Sequence, residues 1–136
     1  MKVVYPAILE PFDEGVGYTV IVPDLPGCVT EGDSLAEAIE MGIDAASGWI
    51  LGEIEEGNNY PAASNISDIK AGTSNSLVTL LVLNMSAYAE KYGAKAVRRN
   101  ITIPAWLDTY AQKNNLSLSK VIQDRLLEVA GAQMAL

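Results

Sequence analysis

Apolar and β-branched residues cluster at Val3–Leu9 and again at Tyr18–Val22, separated by Asp13-Glu14-Gly15-Val16-Gly17. Two such runs around a glycine-bearing turn predict a β-hairpin. Pro6 lies inside the first run and has no amide to donate, which points to a sheet edge or a bulge there. Pro23-Asp24-Leu25-Pro26-Gly27 punctuates the chain, and Cys28–Glu31 reads as a short third strand. From Ser34 the period lengthens. In Ser34-Leu35-Ala36-Glu37 the serine hydroxyl can bond the amide three residues on while the glutamate reaches back, a capping box. Leu35, Ala38, Ile39, Ile43, Ala46 and Ile50 then follow helical spacing, with Glu37, Glu40 and Asp44 on the other side. Gly42 and Gly48 interrupt that helix at a cost of about 1 kcal/mol each relative to alanine. Close approach to a sheet would be a reason to keep them; mere tolerance is the alternative.

Gly57–Ser76 is polar and rich in Gly, Asn and Ser, a loop longer than most internal connections. Leu77–Leu83 is the most apolar run and reads as a buried strand. Met85–Ala96 is mixed, part helix and part hinge. Beyond it the pattern starts afresh. Arg98–Pro104 alternates, with Arg98, Asn100 and Thr102 on one face and Ile101 and Ile103 on the other. Pro104 ends the strand and suits the start of a helix. Trp106, Leu107, Tyr110 and Ala111 give that helix an apolar face, and Asn114-Asn115 breaks it. Ser117 can cap a second helix whose stripe is Leu118, Val121, Ile122, Leu126 and Val129. One strand and two helices rarely hold a core alone. Two copies pairing their strands would resolve this, with Ile101, Ile103, Trp106 and Ile122 as the shared dimer core.

The expectation is therefore an α+β chain in two parts. Residues 1–90 form a small antiparallel-type sheet with a helix, and residues 91–136 a dimerising strand–helix–helix unit. Charge divides at the same place. Residues 1–90 hold 14 Asp/Glu against Lys2 and Lys70, a balance of −12, whereas residues 91–136 balance at +4. A basic tail suits nucleic acid, and an acidic body suits a basic protein partner. A two-stranded ribbon fits the DNA major groove, so Arg98, Asn100 and Thr102 are candidates for base edges. Ser117 and Lys120, at a helix start, are candidates for phosphates.

Candidate chemistry narrows the picture further. With Cys28 as its one cysteine and no histidine, the chain lacks an internal disulfide and the usual zinc ligands. Cys28 reads as a small buried residue beside a turn. Asp24, Glu31 and Asp33 could in principle hold a divalent metal, as nuclease carboxylates do. Asp24 and Asp33 sit at turns, where acidic residues commonly serve the backbone. No catalytic residue, metal site or cofactor is expected, and Asp24, Glu31 and Asp33 are instead candidates for partner contact. The start lacks a signal-peptide run and no stretch reaches membrane-spanning length, so the expectation is a cytoplasmic protein without a membrane partner.

Two resemblances attach to these residues. Arg-Arg-Asn-Ile-Thr-Ile-Pro followed by Leu-Ser-Leu-Ser-Lys-Val-Ile resembles a ribbon-helix-helix DNA-binding module, over Val97–Gly131. Tyr5-Pro6-Ala7, Gly17-Tyr18-Thr19-Val20, and the segment from Pro23-Asp24-Leu25-Pro26-Gly27-Cys28 to Gly32-Asp33-Ser34 with Glu37-Ala38, resemble the HicB antitoxin domain. The resemblance implies a partial RNase H-like body that neutralises HicA, a small basic RNA-cleaving toxin, and a tail that binds operator DNA. It implies a homodimer through the tail, with a higher oligomer left open. Two rivals remain at this point: a stand-alone repressor whose acidic domain senses a ligand, and a metal-dependent nuclease.

Overall fold

In the N-terminal part of the chain, strands form where the apolar alternation placed them. In the computed structural model, which describes residues 1–93 and 97–134, β1 (Lys2–Pro11), β2 (Tyr18–Ile21), β3 (Val29–Gly32) and β4 (Leu77–Asn84) make one sheet. Its order is β3-β2-β1-β4 and every pairing is antiparallel. β4 returns beside β1 over eight paired positions, from Lys2 opposite Asn84 to Leu9 opposite Leu77. β2 pairs with β1 only from Ile8 onward. At Pro6, then, β1 has a single neighbour and is locally an edge. The proline's missing donor costs no ladder bond on the open side, and the register with β4 runs through without a bulge.

Helix α1 (Leu35–Glu55) lies across one face of the sheet. Its first turn is held as the capping box requires: Ser34 Oγ accepts from the Glu37 amide at 3.1 Å. The glutamate reaches back to the Asp33 amide at 3.1 Å, one residue before the cap itself. Ala38, Ala46 and Ile50 pack with Tyr5, Leu9, Val20, Leu81 and Leu83 into a dry core. Gly42 is needed for that approach. A Cβ there would sit 3.0 Å from Val20 Cγ1 and 3.2 Å from Leu81 Cδ1. Gly48 faces Tyr88 Oη instead, again at 3.0 Å.

The connection after α1 is tied down at several points. Tyr60 enters the core, and the Tyr5 hydroxyl donates to the Pro61 carbonyl. Asp24 accepts from the Ser64 amide at 2.8 Å and from its hydroxyl at 2.5 Å. A short 3₁₀ turn, Ile66–Asp68, contacts β4 before the strand begins. The expectation of a buried strand at Leu77–Leu83 needs correction. Leu81 and Leu83 are buried beneath α1, but Leu80 and Val82 point to the opposite face and are 47% and 52% exposed. The run is apolar on both sides, and only one side is covered.

β4 passes into α2 (Met85–Tyr92) without a loop, because the Asn84 side chain caps the new helix at the Ala87 amide, 3.1 Å away. α2 continues through the expected boundary at residue 90, and the hinge expected to reach Ala96 ends outside the described residues. The strand expected at Arg98–Pro104 is not formed: from Val97 to Pro104 the chain has no regular structure, since within one copy the segment has no strand to pair with. α3 (Ala105–Lys113) and α4 (Leu118–Met134) follow. Asn115, at φ 53°, makes the left-handed break between them.

Candidate functional site

The carboxylates singled out in the sequence do not converge. Asp24 spends its oxygens on Ser64 and so fastens the long connection to the β2–β3 turn. Glu31 stands exposed on β3 opposite Thr19, on the sheet face away from α1. Asp33 is exposed just before the helix cap. Among the described residues no group of three or more His, Cys, Asp and Glu is placed to hold a metal ion. Cys28 is buried, and burial pushes its thiol pKa up, which disfavours the thiolate a nucleophile needs.

The acidic surface is instead broad. Glu37, Glu40, Asp44, Glu55 and Glu56 are exposed along α1, and Asp13 and Glu14 at the hairpin tip. The chemistry of such a surface is electrostatic attraction of a cationic partner, which speeds encounter more than it tightens binding. Beneath it lies a buried polar seam. Burial first, and the neighbouring Tyr60 and Asp24 next, push the Tyr5 hydroxyl well above the usual tyrosine range. It therefore stays protonated and serves as a donor.

The tail presents its residues differently. Arg98, Asn100 and Thr102 are all exposed on the extended segment. Ile101 is 57% exposed and Trp106 70%, Ile103 is half-buried and Ile122 exposed. Tyr110, Val121 and Leu126 share that exposure, while Ala111 is the one residue of α3 to be buried. Ser117 Oγ accepts from the Lys120 amide at 3.3 Å and so caps α4. Sequence reasoning missed where that cap lies. Ser117 and Lys120 line a cleft of about 250 Å³ between α2 and α4, with Ser86, Glu90 and Asp124. No local pattern could have signalled a contact between helices so far apart in the chain.

A four-stranded antiparallel sheet with α1 across one face, exposed carboxylates and a tail of unburied apolar helices make an α+β architecture. Residues 5–126 match the model of the HicB-like antitoxins of bacterial toxin–antitoxin systems. The chain belongs to that family, whose members are antitoxins and not enzymes. It is 30% identical over 135 residues to an uncharacterized 14.9 kDa protein from the rep–hol intergenic region of Haemophilus phage HP1, covering 90% of this chain and 97% of the relative. A stretch of 41 residues, 30% of this chain and 26% of the relative, is 54% identical to Antitoxin HicB 1 of Photorhabdus laumondii. In fold it resembles a chain of a toxin–antitoxin complex from Streptococcus pneumoniae, with TM-score 0.61 and 22% identity over 94% and 99% of the two chains. It also resembles the antitoxin HicB of Burkholderia pseudomallei, with TM-score 0.56 and 24% identity over 93% and 98%. No helix among the described residues is long and apolar enough to cross a membrane.

Proposed function

We propose that this antitoxin neutralises a HicA-like, RNA-cleaving basic toxin by direct binding through residues 1–90 and represses its own operon through residues 91–136. One observation supports both halves: a body at −12 is joined to a tail that is net basic. Phosphate repels the first and attracts the second, so the two parts suit different partners. The Streptococcus pneumoniae chain that it resembles in fold belongs to a toxin–antitoxin complex, which supports a protein partner for the body.

In the tail, Ile101, Ile103, Trp106 and Ile122 form the shared core of two copies. Their exposure in a single copy, up to 70% at Trp106, is a physical reason for pairing. Pairing of Arg98–Ile103 with its own copy gives the ribbon, and Arg98, Asn100 and Thr102 approach base edges from it. Ser117 and Lys120 approach phosphates. Lys120 is exposed at a cleft it shares with Glu90 and Asp124, whose carboxylates oppose a phosphate at that point. Asp24 acts through the fold, whereas Glu31 and Asp33 remain contact residues for the toxin.

The test is co-expression with any small basic protein encoded beside it. The wild-type chain should copurify with that protein, restore growth, and shift the operator upstream of the pair. A chain that shifts the operator but neither copurifies nor rescues would leave the stand-alone repressor reading in its place.

A further inference from the structure

Two faces of α4 meet different surroundings. One is the apolar stripe of Leu118, Val121, Ile122, Leu126 and Val129, and every residue of it is exposed. The other, on the opposite side of the helix, holds Lys120, Gln123, Asp124 and Leu127 at the three- and four-residue spacing of a single face. Between residues 118 and 129 the half-buried positions are Asp124 and Leu127, both on this second face. The body covers them: α4 packs on α2, where Ser86 and Ala89 are half-buried in turn. Glu90 stands exposed beside them and lines the same cleft as Ser117 and Lys120. An adjoining hollow of about 320 Å³ shares Glu90, Lys120 and Asp124 with it and extends to Lys2 and Glu128. The one ion pair among the described residues joins Arg125 to Glu128, so no ion pair neutralises Lys120 or Glu90.

We infer that α2 is a built-in electrostatic brake on DNA binding, in which Glu90 of the body repels the phosphate held at the start of α4. This rests on the reading of Ser117 and Lys120 as phosphate contacts, and adds the residue of the body that regulates them. Asp124 and Glu128 belong to α4 and travel with it. Glu90 does not: its field reaches Lys120 only while α4 lies on α2, and it is screened over about 8 Å at physiological salt once the helices part. The brake therefore has two settings. Docked, the tail keeps its apolar stripe free to pair, because that stripe is on the side of α4 turned away from α2. Dimerisation is untouched while phosphate is opposed. Undocked, the same dimer is rid of the opposing carboxylate. The packing is slight, a half-buried leucine against a serine and an alanine, so the two settings lie close in free energy. The position of the body on the tail thus sets affinity for DNA without altering the dimer.

Duplex binding by the full chain at low salt tests this. A carboxylate about 8 Å from a phosphate in water weakens its binding roughly twofold, so Glu90→Gln, present twice in a dimer, should tighten binding about fivefold. The gain should shrink as salt rises. Glu14→Gln makes an equal change of charge at the hairpin tip and should leave binding unchanged, because β1 carries the chain ten residues, about 30 Å, away from the cleft. Leu127→Gln loosens the docked face; it should tighten binding in the wild type but add nothing to Glu90→Gln. Light scattering should give one mass for all of these proteins, since the apolar stripe is unaltered. Phosphates carry no sequence, so operator and scrambled duplex should gain by the same factor. A gain on both duplexes without preference for the operator would refute the operator reading and leave the brake standing. Operator preference with no gain in Glu90→Gln, or an equal gain in Glu14→Gln, would overturn the brake.

Discussion

At the scale of single residues, two glycines of α1 separate propensity from packing. Gly52 has open space where a Cβ would stand, whereas Gly42 faces Val20 and Leu81 at 3.0 and 3.2 Å. Gly52→Ala should gain about 0.5–1 kcal/mol from helix propensity alone. Gly42→Ala gains the same but overpacks a core contact at a typical cost of about 1–3 kcal/mol, leaving a net loss near 1 kcal/mol. Urea midpoints at constant slope would read both signs. The sequence could not tell them apart, because spacing places a residue on a helix but not its distance to the sheet. Tyr5 gives a pH signature. Its hydroxyl pKa is raised in the fold, so its contribution is complete below about pH 10, the unfolded value, and is lost as pH climbs through the folded one. Tyr5→Phe should lose about 1 kcal/mol at neutral pH with the bond to Pro61, and its melting temperature should fall less steeply above pH 10. A parallel fall in both proteins would place the alkaline loss elsewhere, for instance at Tyr60, whose hydroxyl burial also raises.

Among the elements, those set by local rules were legible and those set by distant partners were not. Ser34-Leu35-Ala36-Glu37 announced α1, and Asn114-Asn115 announced the break between α3 and α4. The apolar run at β4 was legible as a strand, but periodicity cannot say whether one face or both are covered. The same limit applies to the tail: its stripe reads as buried, yet within one copy nothing covers Trp106 or Leu126. Ile101→Asp should therefore leave the sheet folded while abolishing the tail dimer and operator binding together, since a charge in a shared apolar core is costly without a partner. Operator shifts and scattering report the two losses. A variant that still binds operator as a tail-linked dimer would end the ribbon model. Asn100→Ala should lose sequence preference more than general affinity, by about 1–3 kcal/mol, measured on operator against scrambled duplex.

For the whole molecule, the split in charge was readable at once, while the strap from Asp24 to Ser64 was not, because its partners lie 40 residues apart. Operator binding by the full chain should weaken steeply with salt, as phosphate contacts release counterions. Residues 1–90 alone should still rescue growth from the toxin yet fail to shift the operator; a folded fragment that does not rescue would put toxin contacts in the tail. The strand order carries a further consequence, in time rather than in space. β1 is made first, but over its first half β4 is its only neighbour, and the paired residues lie 68 to 82 positions apart. At synthesis rates of about 5–20 residues per second, β1 waits on the order of 3–16 s for that strand. Until then it is an unprotected apolar segment, and a ribosome that stops before Asn84 yields no closed sheet. The supply of neutralising body thus follows completed translation rather than initiation, and lags whenever elongation slows.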